Sequence, residues 1–313
     1  MVTYDPIIQP IFSDSNYQVN VLRLDQLHEN IPGNKWFKLK YNLERAKKED
    51  LRTILTFGGA YSNHIAATAA AVKLAGFSSV GVIRGEETNP LNSTLLLAKE
   101  NGMQIHFISR ELYSKKNEPN FLNQLQEKFG PFYLIPEGGS NKEGILGCME
   151  ILDRTWDYDY IFCACGTGST YAGLVLSAPS SSVVIGINVL KGQNSTHQAV
   201  NDMLTSINPS STVSISGNEA LEKTYLIGNC ITDQYAFSGY AGYHSSLVEF
   251  KWLFEKQYGM VLDHLYTNKV FYAVFDLMKL QKLPLGSKIL VIHTGGQQAN
   301  ESFEKRYHLK LMR

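Results

Sequence analysis

The sequence predicts an α/β fold with mainly parallel sheets, and three of its features support that prediction. Short apolar runs alternate with amphipathic stretches along most of the 313 residues, which is the pattern of strands joined by helices. Several amphipathic stretches stop at a glycine, where helices commonly end. No linker rich in Pro, Gly or Ser and no internal repeat interrupts the pattern, so we expect closely joined units.

The expected strands and helices follow one another in order. Strands are predicted in LRTILTFGG, SSVGVIRG, MQIHFIS, FYLIPEGGS, DYIFCACGTGST, SSVVIGINVL and KILVIHTGG, because these runs are apolar and several end in glycine. Helices are predicted between the first four strands, in SNHIAATAAAVKLAG, NSTLLLAKENG and FLNQLQEKFG. We place a smaller α/β unit at residues 46–153, inserted in a larger unit that residues 1–45 and 154–313 form.

The charge balance argues against a nucleic-acid or membrane partner. Lys plus Arg and Asp plus Glu both number 29, and the sequence contains no basic block. The start, MVTYDPIIQPIF, lacks the pattern of a secretory signal, and the alanine-rich run near residue 70 is interrupted by Lys73. We therefore expect a cytoplasmic protein that binds a small molecule.

The four cysteines indicate neither a disulfide framework nor a metal site. Cys163 and Cys165 fall on one predicted strand. We expect their side chains to point to opposite faces of the sheet, which would exclude a chelating pair. No metal is predicted.

The stretch CGTGSTYAGL, Cys165 to Leu174, follows an apolar strand and opens a predicted helix. Its small residues Gly166, Gly168 and Ser169 let backbone N–H groups converge on an anion at a helix N-terminus, which predicts a phosphate site. The glycine spacing differs from that of the Walker and dinucleotide-binding loops. A tight turn without a ligand is the alternative.

A second strand, turn and helix start occurs in FGGAYSNHIAA, Phe57 to Ala67. Here Ser62 and Asn63 would place a hydroxyl, an amide and free N–H groups at a helix N-terminus, which suits a carboxylate. The alternative is that one of them only caps the helix. His64 is more typical of a first-turn helix residue than of a catalyst.

Together the two sites favour a ligand that combines a phosphate with a carboxylate. Pyridoxal phosphate carrying an amino acid meets that need, because its aldehyde reacts with a lysine and then with the substrate amine. Lys35, in GNKWFKLK, is the candidate lysine, since burial would leave its amine neutral and nucleophilic. A solvated surface lysine is the alternative.

Six motifs carry a resemblance to a known family: GNKWFKLKYNLERA, GGAYSNH, CGTGSTYAGL, SGYAGY, LDHLYTNK and IHTGG. In order and approximate spacing they resemble the 1-aminocyclopropane-1-carboxylate deaminases and D-cysteine desulfhydrases. That family belongs to the tryptophan synthase β-like group of pyridoxal phosphate enzymes. The resemblance implies two open, twisted, mainly parallel sheets flanked by helices, with the cofactor between the domains, and a homodimer.

The resemblance also implies roles for individual residues. Lys35 is expected to be the Schiff-base lysine, and Lys38 to help neutralise the cofactor phosphate. The phosphate itself is expected to be held by the glycine-rich turn, through Gly166, Thr167, Gly168, Ser169 and Thr170.

Further roles concern the cofactor ring and the substrate. Asn63 is expected to bond the ring hydroxyl, and Ser62 to lie beside the substrate carboxylate. Tyr240 and Tyr266 match a pair of active-site tyrosines that position substrate or move protons. Without the motifs, each tyrosine would be read as a core residue.

Thr267 is expected to be the partner of the pyridine nitrogen. In the deaminases, the resemblance implies a glutamate at this position. Its charge would keep the pyridine nitrogen protonated and so make the cofactor ring a stronger electron sink. The threonine therefore favours elimination from D-cysteine, or a related β-substituted D-amino acid, to pyruvate and ammonia. The alternative is deamination of 1-aminocyclopropane-1-carboxylate to 2-oxobutanoate.

Two positions depart from the family pattern and are expected to alter the carboxylate pocket. His64 replaces a glutamine, and the pair Trp36 and Phe37 replaces smaller, more polar residues. Two other classes stay open: a dinucleotide-dependent oxidoreductase and a phosphate-ligand binding protein without catalysis.

Overall fold

The fold was determined as a computed structural model, which describes residues 6–31, 33–87, 89–190, 193–207, 215–219, 226 and 228–309. Its strands are β1 (Ile8–Ser13), β2 (Tyr17–Arg23), β3 (Thr53–Gly59), β4 (Ser78–Arg84), β5 (Gln104–Ile108), β6 (Tyr133–Ile135), β7 (Tyr160–Cys165), β8 (Val183–Asn188), β9 (Cys230–Thr232) and β10 (Ser287–His293). Its helices are α1 (Lys35–Lys48), α2 (Asn63–Leu74), α3 (Ser93–Glu100), α4 (Arg110–Ser114), α5 (Pro119–Phe129), α6 (Lys142–Cys148), α7 (Ser169–Ser177), α8 (Gln193–Ile207), α9 (Ser245–Tyr258), α10 (Thr267–Lys279) and α11 (Asn300–Arg306).

The strands form two sheets. One has the order β1-β2-β10-β7-β8-β9 and the other the order β5-β4-β3-β6. All pairs are parallel except β1 with β2, which are antiparallel at one edge. The expected α/β fold with mainly parallel sheets is therefore confirmed, and the antiparallel edge is an addition that the sequence had not indicated.

The central strands are buried on both faces, as parallel sheets require. Every residue of β7 (YIFCAC) is buried, and in β8 and β10 buried residues predominate. Such strands read as continuous apolar runs because helices cover both sides of the sheet. This is why the central strands could be recognised from the sequence.

The four strands of the smaller sheet all lie between residues 53 and 135, whereas those of the larger sheet lie before residue 24 or after residue 159. The chain thus leaves the larger sheet after β2 and returns to it at β7. The exact domain limits, 1–45 with 154–313 and 46–153, stay a prediction.

The expectation for Cys163 and Cys165 was wrong. Residues two apart on a strand share a face, and both side chains lie in the same apolar cluster of the larger sheet. All four cysteines are buried and free. Within the described part of the chain, no group of three or more His, Cys, Asp or Glu residues is placed to hold a metal ion.

No helix in the described ranges has both the length and the apolar character needed to cross a membrane.

Candidate active site

A cavity of about 530 Å³ opens where strands of both sheets end, a volume typical of small-molecule sites. Its wall includes residues at the carboxyl ends of strands or directly beyond them: Gly59, Arg84, Glu137, Gly138, Gly166, Leu190 and Thr294. In α/β proteins ligands bind at this edge of the sheet, because the connections that leave it diverge and form a crevice.

Lys35 reaches this cavity because of the Gly-Asn pair before it. Gly33 has a φ of +80°, and a Cβ there would overlap the carbonyl oxygen of Thr294, so only glycine lets the two segments approach. Asn34 then donates its backbone N–H to that carbonyl at 3.4 Å. Its side-chain oxygen accepts a bond from Lys35 Nζ at 2.9 Å. The first turn of α1 is thereby fixed against the end of β10.

The amine of Lys35 loses its proton more readily than that of an exposed lysine. Burial lowers its pKa from 10.5 to about 7, with a further contribution from the neighbouring charge of Lys38. Near neutral pH a large fraction of the amine is therefore unprotonated and able to act as a nucleophile or base. This electrostatic state is the one that the sequence interpretation required of a reactive lysine.

Lys38 lies one helical turn further along α1, on the same face as Lys35. It is 4% exposed, and its Nζ donates to the carbonyl oxygen of Gly138 at 3.1 Å. Burial lowers the pKa of Lys38 as well. Trp36 and Phe37 do not line the cavity: Phe37 packs in the core, and Trp36 stacks on His28 with ring centroids 5.0 Å apart. The bulk of these two residues therefore does not reduce the cavity.

The turn between β7 and α7 presents an uncapped helix N-terminus to the cavity. Gly168, the N-cap residue, has a φ of +93°, and among the described residues no side chain caps this helix. Its first N–H groups are therefore available to an anion. Asn34 Nδ2 donates to Thr170 Oγ1 at 2.7 Å, so the hydroxyl proton of Thr170 can point to a ligand. Thr167 and Gly166 complete the wall.

The turn between β3 and α2 is already partly satisfied. Ser62 caps α2, accepting the N–H of Ile65 at 3.4 Å. Asn63 Oδ1 accepts from Gln298 at 2.7 Å, so a ligand would meet its Nδ2 donor. Gly296 lets its loop pack on Asn63, since a Cβ there would overlap the amide. Ser62 thus caps the helix and also lines the cavity, and its role beside a substrate carboxylate stays a prediction.

His64 is held as a neutral ring at the base of the cavity. Thr56 Oγ1 donates to the carbonyl oxygen of Ile135 at 2.8 Å, so at 2.9 Å it accepts the Nε2–H of His64. Nδ1 is buried and has no hydrogen-bond partner among the described residues. Burial, and then the charges of Lys35 and Lys38, lower the pKa of His64 well below its usual range.

Tyr240 and Tyr266 face each other across one wall, with ring centroids 5.9 Å apart and an interplanar angle of 67°. Tyr240 also donates its hydroxyl to the carbonyl oxygen of Tyr61 at 3.3 Å. Burial raises the pKa of Tyr240 to about 12, and burial together with Tyr240 raises that of Tyr266 well above its usual value. Both phenols therefore stay protonated and act as donors rather than bases.

Thr267 is not part of the cavity wall. It is fully buried, and its hydroxyl donates to Asp263 Oδ2 at 2.5 Å. The Asp263 carboxylate also accepts the N–H groups of Leu265, Tyr266 and Thr267, the last of which is the first residue of α10. Thr294, by contrast, lines the cavity. Of these two threonines, the one that belongs to the cavity wall is therefore the one directly after β10.

Arg84 and Glu137 lie on the wall, although the sequence interpretation gave them no role. The Arg84 guanidinium lies 5.5 Å from the ring centroid of Tyr113. The Glu137 carboxylate is 3.5 Å from Lys116. Both stand towards the carboxyl ends of predicted strand segments, SSVGVIRG and FYLIPEGGS, which was the available signal for them.

Of the predicted site residues, ten line one cavity: Lys35, Lys38, Ser62, Asn63, Gly166, Thr167, Gly168, Thr170, Tyr240 and Tyr266. Two do not, Thr267 and Ser169. The Ser169 side chain turns towards Gly139 and Ser140, although its backbone belongs to the first turn of α7. Asn34 and Thr294 were missed, although both stand inside quoted motifs.

The chain resembles known proteins over most of its length. The pattern of the family described as pyridoxal-phosphate dependent enzymes matches residues 8–295. A Thermotoga maritima protein assigned as a 1-aminocyclopropane-1-carboxylate deaminase is 33% identical over 296 residues, 90% of this chain and 89% of that protein. The mitochondrial bifunctional D-cysteine desulfhydrase/1-aminocyclopropane-1-carboxylate deaminase of Arabidopsis thaliana is 29% identical over 289 residues, 85% of this chain and 69% of that protein. The crystal structure of an ACC deaminase homologue superposes with a TM-score of 0.81 at 26% identity, covering 98% of this chain and 94% of that one.

Proposed function

The chain belongs to the pyridoxal-phosphate-dependent enzymes, in the branch of the 1-aminocyclopropane-1-carboxylate deaminases and D-cysteine desulfhydrases, and we propose that it eliminates sulfide from D-cysteine. A related β-substituted D-amino acid would react in the same way. The products are pyruvate, ammonia and the β leaving group, with one water consumed. The observation that carries the proposal is one cavity in which a low-pKa amine, that of Lys35, meets two helix N-termini.

The residues present fit pyridoxal phosphate. The uncapped N-terminus of α7 and the ammonium of Lys38 suit a phosphate. Lys35 supplies an amine for the aldehyde, and the Asn63 Nδ2 donor suits a ring oxygen. The Thr294 hydroxyl is the group that we assign to the ring nitrogen. When bound, the cofactor supplies an electron sink for the charge left at Cα.

Lys35 is the base that we assign to the α-proton. When its amine is not bonded to the cofactor, its lowered pKa would keep it able to accept a proton near pH 7. Asn34 Oδ1, 2.9 Å from Nζ, orients that amine. The substrate carboxylate would bind at the N-terminus of α2, beside Ser62.

Tyr240 and Tyr266 would serve the leaving group. Their raised pKa values keep both phenols protonated, so each can donate a hydrogen bond or a proton to sulfur as it leaves. Because they lie on the same wall, one phenol can hold the leaving group while the other restores the lost proton.

The choice of D-cysteine over the cyclopropane substrate follows from the acids near the cavity. Glu137 is the one carboxylate among the described wall residues, and it lies beside Lys116. The Asp263 carboxylate already accepts hydrogen bonds from backbone N–H groups at the start of α10 and from the Thr267 hydroxyl. A hydroxyl at the ring nitrogen gives a weaker electron sink than a carboxylate would. Removal of an α-proton followed by loss of sulfide can proceed with that weaker sink. The cyclopropane substrate has no α-proton, and opening its ring demands more.

The test is a product assay on the cofactor-loaded protein with D-cysteine, L-cysteine, D-serine and 1-aminocyclopropane-1-carboxylate in parallel. We expect pyruvate and sulfide from D-cysteine and no 2-oxobutanoate from the cyclopropane substrate. Appreciable 2-oxobutanoate would show that a hydroxyl suffices for ring opening and would favour the deaminase alternative. Release of products from none of the four would contradict both activities.

We also propose a homodimeric, cytoplasmic enzyme, on the strength of the family resemblance and the charge balance. Sedimentation velocity of the loaded protein and fractionation of cells would test these two statements separately.

A further inference from the structure

Lys269 is buried in the first turn of α10, three residues after Tyr266, and does not itself line the cavity. It is 1% exposed. A positive charge at a helix N-terminus opposes the helix dipole, and burying an ammonium is costly unless its N–H groups are bonded. Its retention at this position therefore calls for specific partners.

Those partners are three backbone carbonyls. Nζ donates to the carbonyl oxygens of Val189 at 3.2 Å, Ala236 at 2.8 Å and Gly239 at 2.8 Å. An ammonium has three donors and no acceptor, so the three carbonyls match it completely. Burial lowers the pKa of Lys269 to about 8, with Asp263 acting in the opposite direction. The side chain is therefore mostly charged at pH 7.

The carbonyls belong to two segments of the cavity wall. Val189 follows β8, precedes the wall residue Leu190, and donates its N–H to Cys165 at the start of the α7 turn. Ala236 and Gly239 lie in the loop that carries Tyr240. The lysine thus joins the tyrosine loop to the segment beside the phosphate site.

The tyrosine loop needs such a tie. Phe237 and Ala241 have φ values of +51° and +52°, which are unfavourable for residues with a side chain. Backbone of this kind persists only where the surroundings fix it. Lys269 bonds the loop one residue before Phe237, through Ala236, and two residues before Ala241, through Gly239.

We propose that Lys269 is a positioning residue, an internal cation that fixes the loop of Tyr240 against the turn beside the phosphate site. The proposal rests on the proposed function in giving Tyr240 a role in turnover. Removing the ammonium frees the loop, and misplacement of a reacting group by about 1 Å can cost about 100-fold in rate.

The test uses the cofactor-loaded, full-length protein and three variants. Lys269→Ala opens a space lined by three carbonyl oxygens, which suits a potassium ion. Lys269→Met removes the same charge but fills the space. Lys251→Ala is the matched control, because Lys251 is also buried but bonds carboxylates, those of Glu255 at 2.7 Å and Glu304 at 4.0 Å. For each we measure kcat, KM and Tm in potassium chloride and in tetramethylammonium chloride at equal ionic strength.

We expect both Lys269 variants to lose about 10- to 100-fold in kcat with a smaller change in KM. Potassium should restore part of the kcat and Tm of Lys269→Ala, whereas tetramethylammonium is too large to do so. Lys269→Met should show no potassium response, and Lys251→Ala should keep its kcat in both salts. Either of two results would overturn the proposal. One is a kcat of Lys269→Met within twofold of the parent, and the other is the same kcat and Tm for Lys269→Ala in both salts.

Failure of a variant to fold and absence of turnover in the parent protein have separate meanings. If Lys269→Ala folds only in potassium chloride, the internal cation is supported; if neither Lys269 variant folds in either salt, Lys269 is a folding residue and the positioning role is wrong. If potassium raises the Tm of Lys269→Ala but the parent protein turns over no tested amino acid, the cation role stands and the proposed function fails.

Discussion

Two strand-to-helix turns face the same cavity, and they differ in how far the protein itself satisfies their helix N-termini. The turn after β7 has Gly168 as its N-cap and, within the described chain, no side-chain cap. The turn after β3 is capped by Ser62, which accepts the N–H of Ile65. At the third nearby helix, α10, Asp263 accepts the N–H of Thr267 with its carboxylate and that of Asn268 with its backbone carbonyl oxygen. The three helix N-termini therefore differ in how their first N–H groups are bonded by the protein itself.

The difference teaches how ligand charge is distributed in the site. An uncapped N-terminus offers several N–H donors and suits a dianionic phosphate with three oxygens. A partly capped one offers fewer donors together with a hydroxyl and an amide, which suits a smaller monoanionic carboxylate. At the start of α10 the N–H groups of Thr267 and Asn268 are bonded to Asp263, and the residue before them, Tyr266, lines the wall. Lys35 lies in the same cavity as both turns, where a ligand spanning them would place its reacting atoms.

The largest effect on turnover is expected from replacing Lys35, which lies in the same cavity as both turns. Lys35→Ala should lower kcat with D-cysteine by about 1,000-fold or more, since it loses both the amine that attaches the cofactor and the base. Lys40→Ala is the matched control, because that lysine lies on the same helix but bonds Glu150 at 2.7 Å. Turnover retained by Lys35→Ala would remove the assignment of Lys35.

The same substitution on each turn would separate their roles. Gly166→Asp adds a carboxylate to the α7 turn, where a Cβ has room at 3.5 Å from Tyr266, and should weaken cofactor binding about 100-fold by charge repulsion. Gly59→Asp adds one to the β3 end, where a Cβ would lie 3.7 Å from Arg84. It should raise the KM for D-cysteine about 10-fold and leave cofactor affinity within twofold of the parent.

Cofactor affinity is read by titration of absorbance and KM by sulfide release. If Gly59→Asp weakens the cofactor as strongly as Gly166→Asp, the two turns do not divide phosphate and carboxylate between them.

A third experiment follows the charge of Lys35 itself. Its pKa of about 7 means that the amine is protonated below that pH and free above it, so its labelling by acetic anhydride in cofactor-free protein should rise about 10-fold from pH 6 to 8 and then level off. Lys40 is the internal control: partial burial opposes the shift, but the hydrogen bond to Glu150 raises its pKa above 10.5. Its labelling should still be rising at pH 10. Peptide mass spectrometry reads both sites from one sample, and parallel profiles would contradict the low pKa.

The smallest effect is expected from Ser62→Ala. Loss of the cap should lower the free energy of unfolding by about 1 kcal/mol, because the N–H of Ile65 then loses its acceptor. The KM should rise by a few-fold if the hydroxyl also meets the substrate carboxylate. Thermal denaturation and kinetics separate the two roles, and a change in Tm alone would leave Ser62 as a cap only.

Much of the fold could be predicted because its strands are continuous apolar runs in a regular order. The parts that were not assigned are the ones with weak patterns. β1 (IQPIFS) contains a proline and is only half buried, and β9 is three residues long. The antiparallel edge pair of β1 and β2 was therefore not predicted, although β2 (YQVNVLR) does alternate apolar with polar residues.

The candidate site could be predicted as far as local motifs reach. Lys35, Ser62 and Gly168 each stand in a short segment whose chemistry is visible without the fold. Thr294 is different, since its role depends on Gly33, 261 residues earlier, packing against its carbonyl. The long-range partners of Lys269 likewise share no local pattern with it. Thr267 shows the converse, because its motif predicted a cavity residue and the nearby Asp263 holds it away.

The four cysteines have a consequence for handling the protein in the presence of thiols. All are buried and free, and burial raises the pKa of Cys165 and Cys230 to about 12. Since only a thiolate attacks a disulfide, the folded chain should not form mixed disulfides with an oxidised thiol substrate. An alkylating reagent would then modify only molecules that have unfolded. The extent of cysteine alkylation with time would therefore report how often the chain unfolds.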